Sequence, residues 1–270
     1  MDGRRRWPPN PPGAHFLAGR EAAELVRRAG VRPGDLVVDL GAGYGAVTAP
    51  LLVAGARVLA VERDPDRVAR LRRRFAGAPG LRVVQADLRA VQLPRTPYRV
   101  VANVPFALVP DVCRRLLDPQ AGWPDGADLL VGWGRAKGLA TSHPAGAAAT
   151  WWAARFTLTL ARRVPAASFR PPPSTDAAHL VVRPRPLAGS APGQRLLRAL
   201  LRAAYRDRWL PALEVFAPVT GRTRARRLLG AVDADPRLPA RALAAGQWHD
   251  LVLAAVAQTS RRSEAQRDSS

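Results

Sequence analysis

The chain has 270 residues, 47% of them hydrophobic, which accommodates one medium-sized domain with a real core and a smaller second one. Its single cysteine, Cys113, excludes an internal disulfide and a multi-cysteine metal site, and His15, His143, His179 and His249 are too scattered to form a metal centre. The net charge is +21, with 42 basic against 21 acidic residues, and every basic residue except Lys137 is arginine. A GC-rich genome accounts for arginine over lysine, but not for the excess over acids. That excess points to a polyanionic partner, nucleic acid before membrane, because no run of about 18 apolar residues exists. Residues 1–12 are basic but run into prolines instead of an apolar stretch, so they read as a disordered arm and not a signal peptide. On these grounds the protein is expected in the cytoplasm.

Residues 20–29 have helical periodicity and stop at Gly30. Strands are predicted at 35–40, 57–62, 81–87, 98–103 and 127–133, with helices at 46–54, 66–76 and 108–117 between them. Continuous apolar strands alternating with helices indicate an α/β domain whose mostly parallel sheet is covered on both faces. Segments 155–164 and 179–182 are predicted to close it as one antiparallel pair. A proline- and glycine-rich linker covers 184–193, a small all-α domain 194–258, and a disordered tail 259–270.

In an open parallel sheet the ligand lies outside the carboxyl ends of the strands. Those ends carry Asp39 (followed by Gly41, Gly43 and Gly45), Glu62, Asp87 and Asn103. Four successive strands thus bring one carboxylate or amide each to the same edge. Gly41, Gly43 and Ala46 satisfy the relaxed dinucleotide fingerprint, and Glu62 falls about 20 residues on, where a ribose-binding acid belongs. This pattern alone fits a nicotinamide cofactor or another adenosine-containing one. Asp87 can accept a hydrogen bond from an adenine amino group. Asn103-Val104-Pro105-Phe106 then breaks the fourth strand beside the site, as any turn with Asn and Pro can.

Taken together, Asp39-Leu40-Gly41-Ala42-Gly43-Tyr44-Gly45, Glu62-Arg63-Asp64, Asp87 and Asn103-Val104-Pro105-Phe106 resemble the motif series of the S-adenosylmethionine-dependent rRNA adenine-N6 methyltransferases, erythromycin-resistance type. His15-Phe16-Leu17 is similar to that family's N-terminal signature, and Phe169-Arg170-Pro171-Pro172-Pro173 to its late proline-rich element. The resemblance implies a Rossmann-like methyltransferase sheet over 13–183 that binds S-adenosylmethionine, with 194–258 binding RNA. It implies that Glu62 holds the cofactor ribose and Asp87 its adenine, while His15, Leu17, Asp39, Gly41 and Gly43 line the same pocket, bordered by Asn103. Asn103 and the Val104 carbonyl, turned by Pro105, would accept hydrogen bonds from the target amino group; Phe106 would stack on the target base, and Phe169 would lie on the target side. The implied substrate is 23S rRNA before subunit assembly, acted on by a monomer with no metal and no membrane. Three positions depart from the family: Gly132-Trp133-Gly134 stands where Gln-x-Glu is common, Val104 where Leu or Ile is, and Gly13-Ala14 where a glutamine precedes the N-terminal signature.

Arg195, Arg198, Arg202 and Arg206 share one helical face, and Arg222, Arg224, Arg226 and Arg227 follow, all without evident balancing acids; the first four are candidate phosphate contacts. Arg67, Arg70 and Arg74 read instead as an ordinary solvated face. Trp7, Trp209 and Trp248 could stack on bases but read better as buried. Alternatives kept open are a 16S rRNA adenine dimethyltransferase, a nicotinamide-dependent oxidoreductase, which leaves Asn103–Phe106 unexplained, and an RNA-binding protein without catalysis.

Overall fold

The computed structural model describes residues 15–118 and 124–267, so the expected arm at 1–12, with Trp7, lies outside the described residues. The chain divides into two compact units: one runs up to Lys137 and includes Thr159–Val182, and the other comprises Gly138–Leu158 and the residues from Arg183 onward. The helical unit therefore takes a segment from before the last strands as well as the region after them.

In the first unit, β1 (Phe16–Leu17) leads into α1 (Gly19–Ala29). Ala22, Leu25, Val26 and Ala29 of α1 are buried at helical spacing, and Gly30 ends it in the left-handed conformation, φ 63°. Then follow β2 (Leu36–Leu40), α2 (Thr48–Val53), β3 (Arg57–Glu62), α3 (Pro65–Arg74), β4 (Leu81–Gln85), β5 (Arg99–Asn103), α4 (Val109–Leu117) and β6 (Gly126–Gly132). Helices α5 (Trp133–Leu139) and α6 (Ala147–Arg155) precede β7 (Phe156–Val164), β8 (Phe169–Arg170) and β9 (Ala177–Pro184).

The main sheet has the order β4-β3-β2-β5-β6-β9-β7. Strands β4 to β6 pair in parallel, and β9 lies antiparallel to β6. Every residue of β6 is buried, as expected of an apolar strand covered on both faces. From β2 the chain builds outward through β3 to β4, then returns to place β5 on the other side of β2. That reversal opens a crevice at the carboxyl ends of β2 and β5, where open α/β sheets bind ligands. A separate two-stranded sheet joins β1 to β8, with Phe16 opposite Arg170 and Leu17 opposite Phe169.

The second unit contains α6 and adds α7 (Ala191–Arg206), α8 (Ala212–Thr220), α9 (Arg222–Gly230) and α10 (Ala245–Arg267). Its core includes Leu197, Leu200, Leu201, Phe216, Leu228, Trp248 and Leu251. In the stretch 184–193, expected as a linker, Leu187 is fully buried, and a Cβ on Gly193 would come within 2.5 Å of Leu187 Cδ1. Helix α10 continues to Arg267, through most of the expected tail.

Helix α3 begins beside the crevice and has a complete start signal. Pro65 occupies its first turn, and the Asp64 carboxylate accepts the N–H groups of Asp66 at 2.9 Å and Arg67 at 3.1 Å. Asp64→Ala is expected to lower unfolding stability by about 0.5–2 kcal/mol, measured by urea denaturation. An unchanged midpoint would show that the cap is dispensable.

Candidate active site

One cleft at the crevice gathers residues from β1, the turn after β2, the ends of β3 and β4, and the turn after β5. It brings together His15, Leu17, Asp39, Gly41, Gly43, Glu62, Asp87, Asn103, Val104, Pro105 and Phe106. Phe169 and the α7 arginines are not among its lining residues.

The glycine turn is shaped by what approaches it. Gly41 and Gly43 have φ of 76° and 58°, in the region that penalises a side chain. A Cβ on Gly43 would lie 3.2 Å from Phe16 Cε1, and one on Gly41 3.5 Å from Pro105 Cδ. Glu62, almost fully buried, ties this turn to the end of β3. Its Oε2 accepts the Gly43 N–H, and its Oε1 the N–H groups of Arg63 and Asp64, all at 2.9 Å. A carboxylate has about four acceptor positions, so capacity remains for a hydroxyl. Asp87, two residues beyond β4, is held by Arg89: Nε at 3.0 Å, Nη2 at 2.6 Å and the backbone N–H at 2.8 Å. The Arg89 side-chain bonds hold the Asp87 pKa down at about 2, so it remains an anionic acceptor. Two acceptors on neighbouring strands, with apolar Val61, Leu17 and Leu88 around them, suit the hydroxyl and amino donors of an adenine nucleoside.

Asn103 is oriented by a single contact. Its Nδ2 donates to the His15 carbonyl at 2.9 Å, and among the described residues its Oδ1 takes no hydrogen bond. His15 is itself placed by the β1–β8 pairing and by its Nδ1–H, which donates to the Pro171 carbonyl at 2.9 Å. The amide therefore presents its acceptor end. The Val104 N–H donates to Leu130 on β6 at 3.1 Å, and Val104 is buried. Pro105 opens a short 3₁₀ turn that displays Phe106, half-buried, with His15 at 6.0 Å and Phe169 edge-on at 6.3 Å between ring centroids.

Several residues play parts that the sequence did not reveal. Phe169 is fully buried, so it offers no face to a base and instead braces Phe106. Gly132, at one of the departures from the family pattern, seats the same ring: a Cβ there would lie 3.1 Å from Phe106 Cδ2. The expectation of a solvated arginine face on α3 fails for Arg67. Its side chain is 13% exposed, stands 3.8 Å from Glu62, and covers the Phe16 ring at 5.4 Å and Tyr44 at 5.8 Å. Arg74 donates to the Tyr44 carbonyl and Arg70 lies over its ring.

In the helical unit, Arg195, Arg198, Arg202 and Arg206 are all exposed along α7, opposite its buried leucines. Arg198 lies over the Trp151 ring at 4.4 Å. The arginines of α9 are not one free group: Arg222 pairs with Glu214 at 2.8 Å, and Arg224 donates to the Ala255 carbonyl. Trp248 is fully buried against Phe216, but Trp209 is 64% exposed, contrary to the expectation that it packs inside. Among the described residues, no helix is long and apolar enough to cross a membrane.

The sheet order and its crevice define a Rossmann-like methyltransferase fold. The chain belongs to the ribosomal RNA adenine dimethylase family, whose model matches residues 13–196. It is 38% identical over 180 residues to the mycinamicin-resistance protein MyrB of Micromonospora griseorubida, covering 64% of this chain and 55% of that one. It is 29% identical over 245 residues to ribosomal RNA small subunit methyltransferase A of Thermosynechococcus vestitus, covering 87% and 92%. The crystal structure of the 23S rRNA methyltransferase ErmE shares the fold, with a TM-score of 0.75 and 20% identity over 88% of this chain and 98% of that one. The chain spans 55–60% of the length of the first curated relatives it matches.

Asp39 lies beneath the cleft, 1% exposed, accepting the Thr48 hydroxyl at 2.7 Å. Burial pushes its pKa up to about 7, with the nearby Glu62 charge adding to the effect and Thr48 opposing it. Between the unfolded value near 4 and this folded value, the unfolded chain binds fewer protons, so stability falls as pH rises. Asp39→Asn should remove this slope: urea denaturation at pH 5 and pH 8 should show wild type losing more stability than the variant. Parallel losses in the two proteins would place the titration elsewhere.

Proposed function

We propose that this protein transfers the methyl group of S-adenosylmethionine to the N6 amino group of an adenine in 23S rRNA, and that the methylated base obstructs macrolide binding. The observation that carries the reading is the Asn103 amide, its donor end engaged by His15 and its acceptor end left for a substrate N–H. Phe106 stands beside it. Glu62 and Asp87 would hold the ribose and adenine of the methyl donor, and the Gly41–Gly45 turn would admit it by close backbone approach. When bound, S-adenosylmethionine supplies an electrophilic methyl group on a sulfonium that departs as a neutral thioether.

The acceptor chemistry explains why an adenine amine can react here. Its lone pair is delocalised into the ring, which makes it a poor nucleophile. Acceptors at Asn103 Oδ1 and the Val104 carbonyl would hold both N–H groups and favour the pyramidal nitrogen needed for attack. Because the methyl group is already activated, positioning matters more than a strong base, and the cationic nitrogen formed on methylation would then lose one proton to solvent. The target base must leave its stack, and the Phe106 face would hold it outside. The names of MyrB and ErmE support resistance and the large-subunit RNA as the setting. We place the enzyme in the cytoplasm, as a monomer acting on RNA before subunit assembly. A second reading, methylation of 16S rRNA, draws on the likeness to a small-subunit methyltransferase along most of both chains.

In a macrolide-sensitive host, the wild-type gene should confer tolerance and leave N6-methyladenine in the peptidyl-transferase region of 23S rRNA. Methylation confined to 16S rRNA, with drug sensitivity unchanged, would decide for the second reading. Asn103→Ala should abolish transfer while calorimetric binding of S-adenosylmethionine largely survives. Phe106→Ala should cost about 1–3 kcal/mol through lost stacking. Neither NAD nor NADP should bind; tight nicotinamide binding would defeat the methyltransferase reading.

The exposed α7 face supports a role in holding RNA phosphates. Replacing Arg195, Arg202 and Arg206 with alanine leaves the Arg198–Trp151 contact intact. The triple variant should weaken RNA binding and reduce the log–log salt slope by roughly 0.7 to 0.9 for each lost phosphate contact. An unaltered slope would identify the stripe as a merely solvated face.

A further inference from the structure

We propose that Trp209 is a stacking platform for an unpaired base of the RNA, with Arg206 and Arg208 positioned for the adjoining phosphates. The inference rests on an RNA substrate but concerns a site in the helical unit. The turn after α7 is tightly built: the Asp207 carboxylate accepts the Trp209 N–H at 2.9 Å, and the Asp207 carbonyl accepts the Leu210 N–H at 3.2 Å. The following residues are tied to a second loop, through Ala212 N–H to the Leu238 carbonyl at 2.8 Å and Ala240 N–H to the Leu210 carbonyl at 3.2 Å. A pinned backbone therefore displays an indole that is 64% exposed. A large aromatic left mostly in water on a hydrogen-bonded turn suits a partner.

Its surroundings select the partner. The Arg241 guanidinium lies 4.4 Å from the Trp209 ring centroid and that of Arg208 5.2 Å. Among the described residues neither has an acidic partner, and the Arg241 Nε is buried without a hydrogen-bond acceptor. Arg206 and Arg208 are exposed. Of the nearby acids, Asp207 is occupied by the turn and Asp235 accepts the Arg237 N–H at 2.9 Å. A mostly exposed indole with guanidinium groups over its ring matches a base and its phosphates. A second copy of this chain fits poorly, because two bodies of net charge +21 repel. Stacking is tolerant of sequence, so the platform would add affinity and not choose the target adenine.

The test measures binding of the full chain to a labelled single-stranded oligoadenylate, and to an oligomer of equal length with abasic positions. Trp209→Ala and Trp209→Leu should each weaken oligoadenylate binding roughly 5- to 150-fold at fixed salt. Trp209→Phe should retain most of the affinity, and the salt slope should not change. The abasic oligomer should bind wild type and variants alike. Equal oligoadenylate affinity in the leucine variant, or the same loss on the abasic oligomer, overturns the proposal. So does sedimentation showing that Trp209→Leu abolishes self-association while RNA affinity holds. Methyl transfer is not read here, so an enzyme that methylates 23S rRNA without a Trp209 effect sinks only the platform. A protein that stacks RNA on Trp209 but methylates nothing sinks only the reaction.

Discussion

The hydrogen bond from Asn103 Nδ2 to the His15 carbonyl joins three segments far apart in sequence. The end of β5 provides the amide, His15 just before β1 provides the carbonyl, and the β8 turn fixes this segment through strand pairing and the contact between His15 and the Pro171 carbonyl. Such a bond contributes only about 0.5–1.5 kcal/mol to stability. Its larger consequence is chemical, because an amide that can rotate offers a donor or an acceptor indifferently. Once one N–H of the NH₂ group is engaged by protein, the amide is held with its oxygen free to accept, and that polarity favours a group with hydrogen to donate.

Glu62 shows the same economy on the other side of the cleft. Three backbone N–H groups converge on its carboxylate, so the charge that would meet a ribose also holds the Gly43 turn against β3. Removing it would disturb the turn as well as a ligand contact. Asp87 is organised differently: the Arg89 guanidinium meets both its oxygens, and the Arg89 N–H adds a third bond. The two carboxylates thus divide into one held by backbone N–H groups at β3 and one held mainly by a side chain beyond β4.

The strand ends were legible because each buried strand is a continuous apolar run that stops at one polar residue. Aligning those stops is enough to place Asp39, Glu62, Asp87 and Asn103 on one edge. The β1–β8 pair was not legible as a pair, since two residues carry no periodicity and the partners lie about 150 positions apart. Gly132 was visible only as a departure from a pattern; its use as a seat for Phe106 depends on where the ring comes to lie. Arg67 misled for the same reason. Arginines at helical spacing usually face water, and nothing in α3 itself announces that Phe16 and Tyr44 will cover that face. Local pattern locates groups on elements, whereas burial of a charged side chain is decided by what arrives from elsewhere.

The charge excess needs the same distinction. On α9, Arg222 and Arg224 hold Glu214 and the Ala255 carbonyl, so part of the basic character that composition assigns to a polyanion stabilises the helical unit instead. On α7, Arg195, Arg202 and Arg206 have no acidic partner among the described residues. A net charge of +21 therefore overstates the number of possible phosphate contacts, although it describes a long-range field that attracts polyanions. That field falls on every phosphate alike and cannot single out one nucleotide. Discrimination must come from short-range groups with direction: an amide oxygen aimed by His15, and an aromatic ring seated on Gly132 and braced by Phe169.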